Sequence, residues 1–407
     1  VVLTAREEEV PGAPALRQLL AELDRESNTE QIGLGRLTRE DTVVLTRQLM
    51  RAGRSTSATE RLGDRIWEAS AGNPLIAVET LRALDEAGSP AADQPLPLPG
   101  RVRDTIVGRL TRLGDRAQEL ASVAAVIGRQ FSFPLVQRAA GLDPADAAEA
   151  MEELVARYIL CVVGEQLDFT HDRIREVTYA RLLPPRRQLL HAAVARAIEA
   201  LNPDRLDELS DSLAYHYSKT DLDEAAIDYL TRFAARAAQA YASAAAVDAL
   251  REALVRARRA RGGEADRRVL ALLDRYSLSL SILGRFRDIL DLLLPERERA
   301  ERVEDRALTS AYFSRLGLTY SYLGEPGEAA VWAGRALAEA ERAEDGMAAG
   351  RACYVLALAA YYTGASPDGG EHARRAIAHL ERGRTRAELS WLGQSQWVLG
   401  LHLFLRG

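Results

Sequence analysis

The chain of 407 residues is poor in lysine, cysteine and histidine. Its one lysine, Lys219, follows Tyr217 and Ser218 rather than a glycine-rich turn. A Walker A loop requires a lysine directly after such a turn, because its ammonium reaches the β and γ phosphates. The sequence therefore contains no intact P-loop.

The two cysteines, Cys161 and Cys353, lie far apart in apolar surroundings and have no CxxC spacing. They predict neither a disulfide framework nor a zinc site, and we expect two buried thiols in a reducing cytoplasm. The six histidines show no HExxH or related spacing. Metal catalysis therefore has no support in the sequence.

Long apolar runs and an excess of positive charge are also absent. Without a run of about 18 apolar residues or a charged-then-apolar leader, we expect no membrane span and a cytoplasmic protein. The net charge of -6 argues against a protein that coats nucleic acid or anionic membrane. The chain begins Val-Val-Leu-Thr and ends inside a helical pattern, so we expect a fragment with residues missing at both ends.

The composition that remains, 47% hydrophobic and 28% charged, is typical of a globular protein of two or three domains. Val1–Thr4 is suited to a strand buried on both faces. Thr38 is predicted to cap a helix, with Asp41 as an acidic variant of the capping box. Gly72 ends one predicted helix and Pro74 opens the next.

A proline cluster between residues 89 and 100 predicts a stiff linker, after which four helices, a hairpin and a helix follow up to residue 185. The hairpin strands are Ile159–Val163 and Gln166–Phe169. Helices followed by a two-stranded wing indicate a winged helix. Its third helical element, from Pro144, is strongly acidic, so we expect no direct binding to nucleic acid.

Beyond residue 186 the pattern is helical throughout and has a period. Gly284, Gly324 and Gly364 recur at intervals of 40 residues, each after an apolar helix and before an amphipathic one. One step back falls at Ala244, within a predicted turn from Tyr241 to Ala245. Stacked helix pairs of this kind resemble tetratricopeptide (TPR) repeats. A basic run at the end of one helix is interpreted as a solvated face rather than a nucleic-acid site. The run consists of Arg251, Arg256, Arg258, Arg259 and Arg261.

Three runs in a fixed order, VVLTAR at 1–6, GNPL at 72–75 and FTHDRIRE at 169–176, resemble the second half of a STAND signal-transduction ATPase. The resemblance implies a mainly α chain: a remnant of an α/β P-loop ATPase domain, a helical lid, a winged helix and a TPR-like α-solenoid. The implied segments are 1–37 for the ATPase remnant from the sensor 1 strand onward, 38–88 for the lid, 89–100 for the linker, 101–185 for the winged helix and 186–407 for the repeats.

The resemblance also assigns roles to three residues. It implies that Arg6 approaches the γ phosphate, that Pro74 packs on the adenine and that His171 reads the β phosphate of bound ADP. The cofactor would be ATP or ADP, with Mg held by residues that this chain lacks. Each residue also has a local interpretation: Arg6 caps a strand end, Pro74 opens a helix, and His171 is an exposed side chain beside a helix cap.

Further runs at 98–103, 124–131 and 182–187 look like the AAA modules of large bacterial regulators, whose output is a LuxR-type helix-turn-helix or a class III adenylate/guanylate cyclase. The implied function is an ATP-dependent switch that couples sensing by the repeats to such an output. A protein partner or a small-molecule inducer would bind the repeats, and self-association on activation is left open. Lacking Walker A and Walker B, the chain is not expected to hydrolyse ATP alone. The alternative is a non-enzymatic, TPR-like interaction scaffold with a vestigial ATPase half.

Overall fold

The computed structural model describes residues 19, 32–49, 56–87, 100–364, 366–383 and 385–404. Most of these residues are helical, which confirms the predicted mainly α fold. The helices are α1 Arg39–Leu49, α2 Thr56–Ser70, α3 Pro74–Ala87, α4 Gly100–Leu110, α5 Asp115–Ile127, α6 Phe133–Ala140, α7 Pro144–Ala156, α8 Asp172–Arg181, α9 Pro184–Leu201, α10 Ser210–Ser218, α11 Asp223–Gln239, α12 Ser243–Ala257, α13 Gly263–Ile282, α14 Phe286–Leu293, α15 Arg297–Arg302, α16 Arg306–Tyr322, α17 Pro326–Arg342, α18 Gly346–Thr363, α19 Ser366–Leu380 and α20 Arg386–Phe404. The strands are β1 Leu160–Val163 and β2 Gln166–Phe169.

The described residues form two compact units. The first contains those up to Arg112 together with His171–Val177, and the second contains Leu113–Thr170 and the chain from Thr178 onward. The predicted strand Val1–Thr4 and linker residues 89–99 lie outside the described residues. The predicted domain boundaries stay predictions.

Helices α1 to α3 of the first unit pack around a small apolar core. Its buried members are Leu62, Ile66, Ala77, Leu81 and Leu84. The predicted capping box begins α1: the Asp41 amide donates to Thr38 Oγ1 over 3.1 Å, and the Thr38 amide donates to Asp41 Oδ2 over 3.2 Å. These hydrogen bonds satisfy amide groups that have no partner inside the helix.

The second unit begins with α5, α6 and α7, followed by the hairpin β1–β2. The strands pair antiparallel, with Leu160 opposite Phe169 and Val163 opposite Gln166 around a two-residue turn. Gly164 at that turn has a φ of 63°, which a side chain would make unfavourable. Phe131, between α5 and α6, bridges to Leu167 and so extends the sheet. The predicted order of helices and hairpin is therefore present.

The remainder of the second unit consists of antiparallel helix pairs, α11 with α12, α13 with α14, α16 with α17 and α18 with α19. The first helices of successive pairs also touch, since α16 contacts α18 and α18 contacts α20. This stacking is TPR-like, as the 40-residue period predicted. Gly284, Gly324 and Gly364 all adopt positive φ in the turns within the last three pairs.

A turn is present at the start of the predicted range Tyr241–Ala245, but it ends earlier than predicted, because α12 already begins at Ser243. Ala244 lies inside α12, and the preceding turn is made by Tyr241, whose φ is 59°. Here a non-glycine residue adopts the left-handed conformation, so the small-residue signal used to place the other turns is missing.

Small residues bring neighbouring repeat helices close together. A Cβ atom added at Gly317 of α16 would lie 3.0 Å from the Ala329 carbonyl oxygen and 3.1 Å from the Ala333 amide nitrogen of α17. Nearby, the Ser310 hydroxyl donates to the Ala336 carbonyl over 2.8 Å in a buried position. The two backbones can approach this closely only because Gly317 has no side chain.

Both cysteines are free thiols. Cys353 is buried as predicted, whereas Cys161 is only half-buried. Burial raises the pKa of both thiols. Within the described ranges, no helix has the length and apolarity to cross a membrane.

We predict opposite effects on stability for two glycine substitutions in adjacent helices. Gly334→Ala, on α17 with open space around the site, should stabilise the protein by up to about 1 kcal/mol because alanine favours helix. Gly317→Ala gains the same propensity but overpacks α16 against α17, at a cost of about 1–3 kcal/mol. Urea unfolding of both variants measures the difference, and equal stabilities would contradict the close packing described at Gly317.

Candidate functional site

A tight loop joins α2 to α3 in the first unit and contains the run GNPL. Ala71 and Gly72 both have positive φ, 48° and 73°. A Cβ atom on Gly72 would lie 2.5 Å from the Leu37 carbonyl oxygen, and the Leu37 amide donates to the Gly72 carbonyl over 2.8 Å. Glycine is therefore required here both by conformation and by the close approach of residue 37.

Pro74 is the first residue of α3 and is exposed. The Asn73 side-chain oxygen accepts from the Leu75 amide over 3.0 Å, which caps the helix in front of the proline. Pro74 thus fills the local role of opening a helix, and its exposed ring is free to pack on a ligand. Its predicted contact with adenine stays a prediction.

Arg36 links this loop to His171. One guanidinium nitrogen, Nη1, donates to the Ala71 carbonyl oxygen over 3.1 Å, and the other, Nη2, lies 3.5 Å from His171 Nε2, at the long limit of a hydrogen bond. Two of the three runs singled out in the sequence therefore meet at one arginine. Arg36 itself was missed, because a single arginine after Gly33-Leu34-Gly35 carries only a weak sequence signal.

His171 precedes α8 and is half-buried. Its pKa is lowered, mainly by burial and further by the positive charges of Arg36 and Arg109, while Asp172 opposes the shift. The imidazole is therefore neutral at pH 7, and its Nε2 accepts when Arg36 donates. Two cations and a neutral donor in a half-buried corner favour an anionic ligand. The arrangement suits anion binding rather than nucleophilic or acid–base catalysis.

Arg6, the third predicted site residue, lies outside the described residues. In the part of the chain that the structure describes, no group of three His, Cys, Asp or Glu side chains could hold a metal ion. The structure thus describes two of the three predicted site residues, Pro74 and His171, and places Arg36 beside His171.

The basic run at the end of α12 is the exposed face that we predicted, except at Arg256. Arg256 is buried and donates to the Ser218 and Thr220 carbonyls over 2.6 and 3.0 Å and to Asp223 Oδ1 over 2.8 Å. Arg258 pairs with Glu296. The prediction was wrong for Arg256, because the Ser218, Thr220 and Asp223 groups that bind it lie more than 30 residues away in the sequence and turn its guanidinium inward.

Two histidines in the second unit form a buried pair, with 2.9 Å between His191 Nδ1 and His216 Nδ1. Tyr179 Oη lies 3.1 Å from His191 Nε2. Burial lowers the pKa of His191 to about 4, with Lys219 and Arg187 adding to the shift, and lowers that of His216 to about 3. A chain of hydrogen bonds from the tyrosine hydroxyl through both neutral rings accounts for these contacts. We assign the pair to stability.

Comparisons with known proteins identify no family for the chain. No protein-family model matches the chain, and no curated protein matches it. Of the solved structures, a STAND protein with a tetratricopeptide repeat sensor from Pyrococcus horikoshii aligns at 12% identity and a TM-score of 0.35, covering 93% of this chain and 64% of that one. Aspartyl phosphate phosphatase F from Bacillus subtilis aligns at 13% identity and a TM-score of 0.41, covering 87% and 82%.

These similarities are too low to support an argument about function. The chain spans 64% of the length of the STAND protein that it resembles. The arrangement of the chain's own helices shows a mainly α protein with TPR-like helical repeats. Any assignment of function therefore depends on the geometry of the Arg36–His171 site.

We predict that Arg36→Gln raises the pKa of His171, since it removes a positive charge that opposes protonation. Arg47→Gln, which breaks an exposed ion pair with Glu60 on the surface of the same unit, is the matched control and should leave that pKa unchanged. NMR titration of histidine-labelled protein measures both. A pKa for His171 that is equal in Arg36→Gln and the unmodified chain would contradict the described contact.

We also predict that stability falls as the pH is lowered from 7 to 5. The folded chain keeps His191 and His216 neutral, whereas the unfolded chain binds protons at both below about pH 6.5, so acid favours unfolding. The free energy of unfolding, measured by urea titration at several pH values, should have a shallower pH slope in His216→Asn. His379→Asn, on α19, is the control that should keep the original slope. A His216→Asn variant with an unaltered slope would refute the assignment.

Proposed function

We propose that the chain belongs to a nucleotide-dependent signalling switch of the STAND type, in which Arg36, His171 and the loop before Pro74 bind ADP or ATP. The observation that carries the proposal is the Arg36 guanidinium, which reaches both the Ala71 carbonyl and His171 Nε2. The two elements that resemble nucleotide-binding runs thereby share one cation.

Electrostatics favours phosphate as the ligand at this position. Arg36 and Arg109 both lower the pKa of His171, so the site is positively charged even with a neutral imidazole. A phosphate oxygen would accept hydrogen bonds from a guanidinium and from the imidazole, and such charge-assisted hydrogen bonds are the strong ones. Pro74, exposed at the start of α3, would pack on the base. Arg6 and the Mg-binding residues are proposed to complete the phosphate end.

The three helices and hairpin of the second unit support the interpretation as a winged helix. His171 follows β2 after a single residue, Thr170, whose hydroxyl donates to the Tyr158 carbonyl over 2.7 Å. The proposed role of His171 itself is to clamp the nucleotide. We favour a clamp over a DNA reader because α7 is acidic and would repel DNA phosphates.

The repeats would act as the sensor. A ligand or partner on them can shift the switch only if it binds the ADP and ATP states with different affinity. The proposal assigns no output activity, neither cyclase nor transcription factor, to these residues.

A second function, a non-enzymatic interaction scaffold, is favoured by one observation. Large apolar side chains are exposed near the ends of the first helices of successive repeat pairs, with Ile282 63%, Tyr322 48% and Tyr362 51% exposed. Exposed apolar groups of this kind occur at protein interfaces. A scaffold would not require nucleotide, so nucleotide binding separates the two functions.

We predict that the chain binds MgADP weakly, roughly in the millimolar range, because it has no P-loop to hold the phosphates. Trp67 reports on the site, since its indole N–H donates to the Leu37 carbonyl over 3.2 Å, beside Arg36. A change in tryptophan fluorescence on titration with MgADP should therefore be lost in Trp67→Phe. Adenosine, which lacks phosphate, should bind more weakly still.

Arg36→Gln should weaken MgADP binding by about tenfold, and Arg47→Gln should leave it unchanged. Equal affinity for ADP and adenosine, or unaltered ADP binding by Arg36→Gln, would refute the phosphate site. Complete absence of nucleotide binding would favour the scaffold.

A further inference from the structure

A cavity of about 170 Å³ lies in the repeat region, where α13 and α16 meet beside α14. Its lining combines apolar side chains with three charged ones. The apolar residues are Leu270, Ala271, Leu293, Leu308, Ala311 and Tyr312, and the charged residues are Asp274, Arg275 and Arg315. The cavity is distant in sequence from the proposed nucleotide site and shares no residue with it.

The apolar part of the cavity can be compared in size with known ligand cavities, and the hydroxyl of its tyrosine is already hydrogen-bonded. Tyr312 donates its hydroxyl to the Leu293 carbonyl over 2.5 Å, so the ring rather than the hydroxyl is offered to a ligand. A protein cavity of about 150 Å³ accommodates benzene. The space at Tyr312 therefore admits an apolar side chain of medium size.

The charged residues of the cavity leave both a negatively charged acceptor and positively charged donors without a hydrogen-bond partner among the described residues. Arg315 Nη2 and Nε lie 2.8 and 3.3 Å from the same oxygen of Asp274, Oδ1. Within the described residues, Asp274 Oδ2 and Arg315 Nη1 make no hydrogen bond, and the exposed Arg275 makes no ion pair. One anionic oxygen and two guanidinium groups are thus available beside an apolar space.

A zwitterion with an apolar tail matches this combination. A carboxylate would bind Arg275 and the free nitrogen of Arg315, and an ammonium would bind Asp274 Oδ2. A simple carboxylate would leave Asp274 unused, and a simple amine would leave both arginines unused. We propose that this cavity binds a free apolar α-amino acid, such as leucine or methionine, with its side chain toward Leu308 and Tyr312.

Isothermal titration calorimetry on the chain tests the proposal without nucleotide, so its failure and the failure of the proposed function are distinguishable. Leucine should bind, and glycine should bind at least about tenfold more weakly because it lacks the apolar tail. N-acetyl-leucine removes the ammonium and leucinol removes the carboxylate, and each should lose about tenfold or more. If the cavity instead binds the terminus of a peptide, one of these two analogues should bind as tightly as leucine does. That result would overturn the assignment.

Arg275→Gln is the test variant, because Arg275 is exposed and its replacement leaves the fold intact. It should weaken leucine binding by about tenfold. Arg267→Gln, two turns earlier on α13, breaks an exposed ion pair with Glu264; it is the matched control and should not change leucine binding. Absence of heat with leucine, methionine and phenylalanine, or full affinity in Arg275→Gln, would overturn the proposal.

Discussion

The guanidinium of Arg36 is the contact on which the account of the first unit depends. It donates to the Ala71 carbonyl in the loop before Pro74 and lies 3.5 Å from His171, which precedes α8. The same positive charge lowers the pKa of His171. One residue therefore shapes the loop, adds to the effect of burial in keeping the imidazole neutral and makes the corner attractive to an anion.

The second unit depends on a different constraint, the close packing of helices through small residues. Gly317 lets α16 approach the backbone of α17, and alanines such as Ala333 and Ala336 are fully buried there. Arginine serves the same architecture at longer range, since the buried Arg256 joins α12 to the carbonyls of Ser218 and Thr220. A solenoid built in this way exposes the surfaces between its helix pairs, where a sensor would bind its signal.

Features that arise from local sequence were predictable, and features that arise from distant contacts were not. The capping box of Thr38 and Asp41 and the turns at Gly324 and Gly364 were predicted, because each is set by residues within one helical turn. The end of the turn at Tyr241 was misplaced, because a tyrosine rather than a glycine adopts the left-handed conformation there.

The candidate site follows the same rule. Pro74 and His171 were singled out by resemblance, but their common neighbour Arg36 was not, because it lies 35 residues before Ala71 and 135 before His171. The prediction that the Arg256 side chain is solvated was wrong for the same reason. Positions of charged side chains depend on partners from other helices, and no spacing in the sequence encodes those partners.

The pKa of His171 with and without MgADP tests the central claim most directly. A phosphate beside the imidazole stabilises its protonated form, so the account predicts that the pKa of His171, followed by NMR in the histidine-labelled chain, rises on addition of MgADP. His379 in the repeat region provides the internal reference and should not move. A pKa for His171 that stays the same, or falls, in the presence of bound ADP would contradict the account.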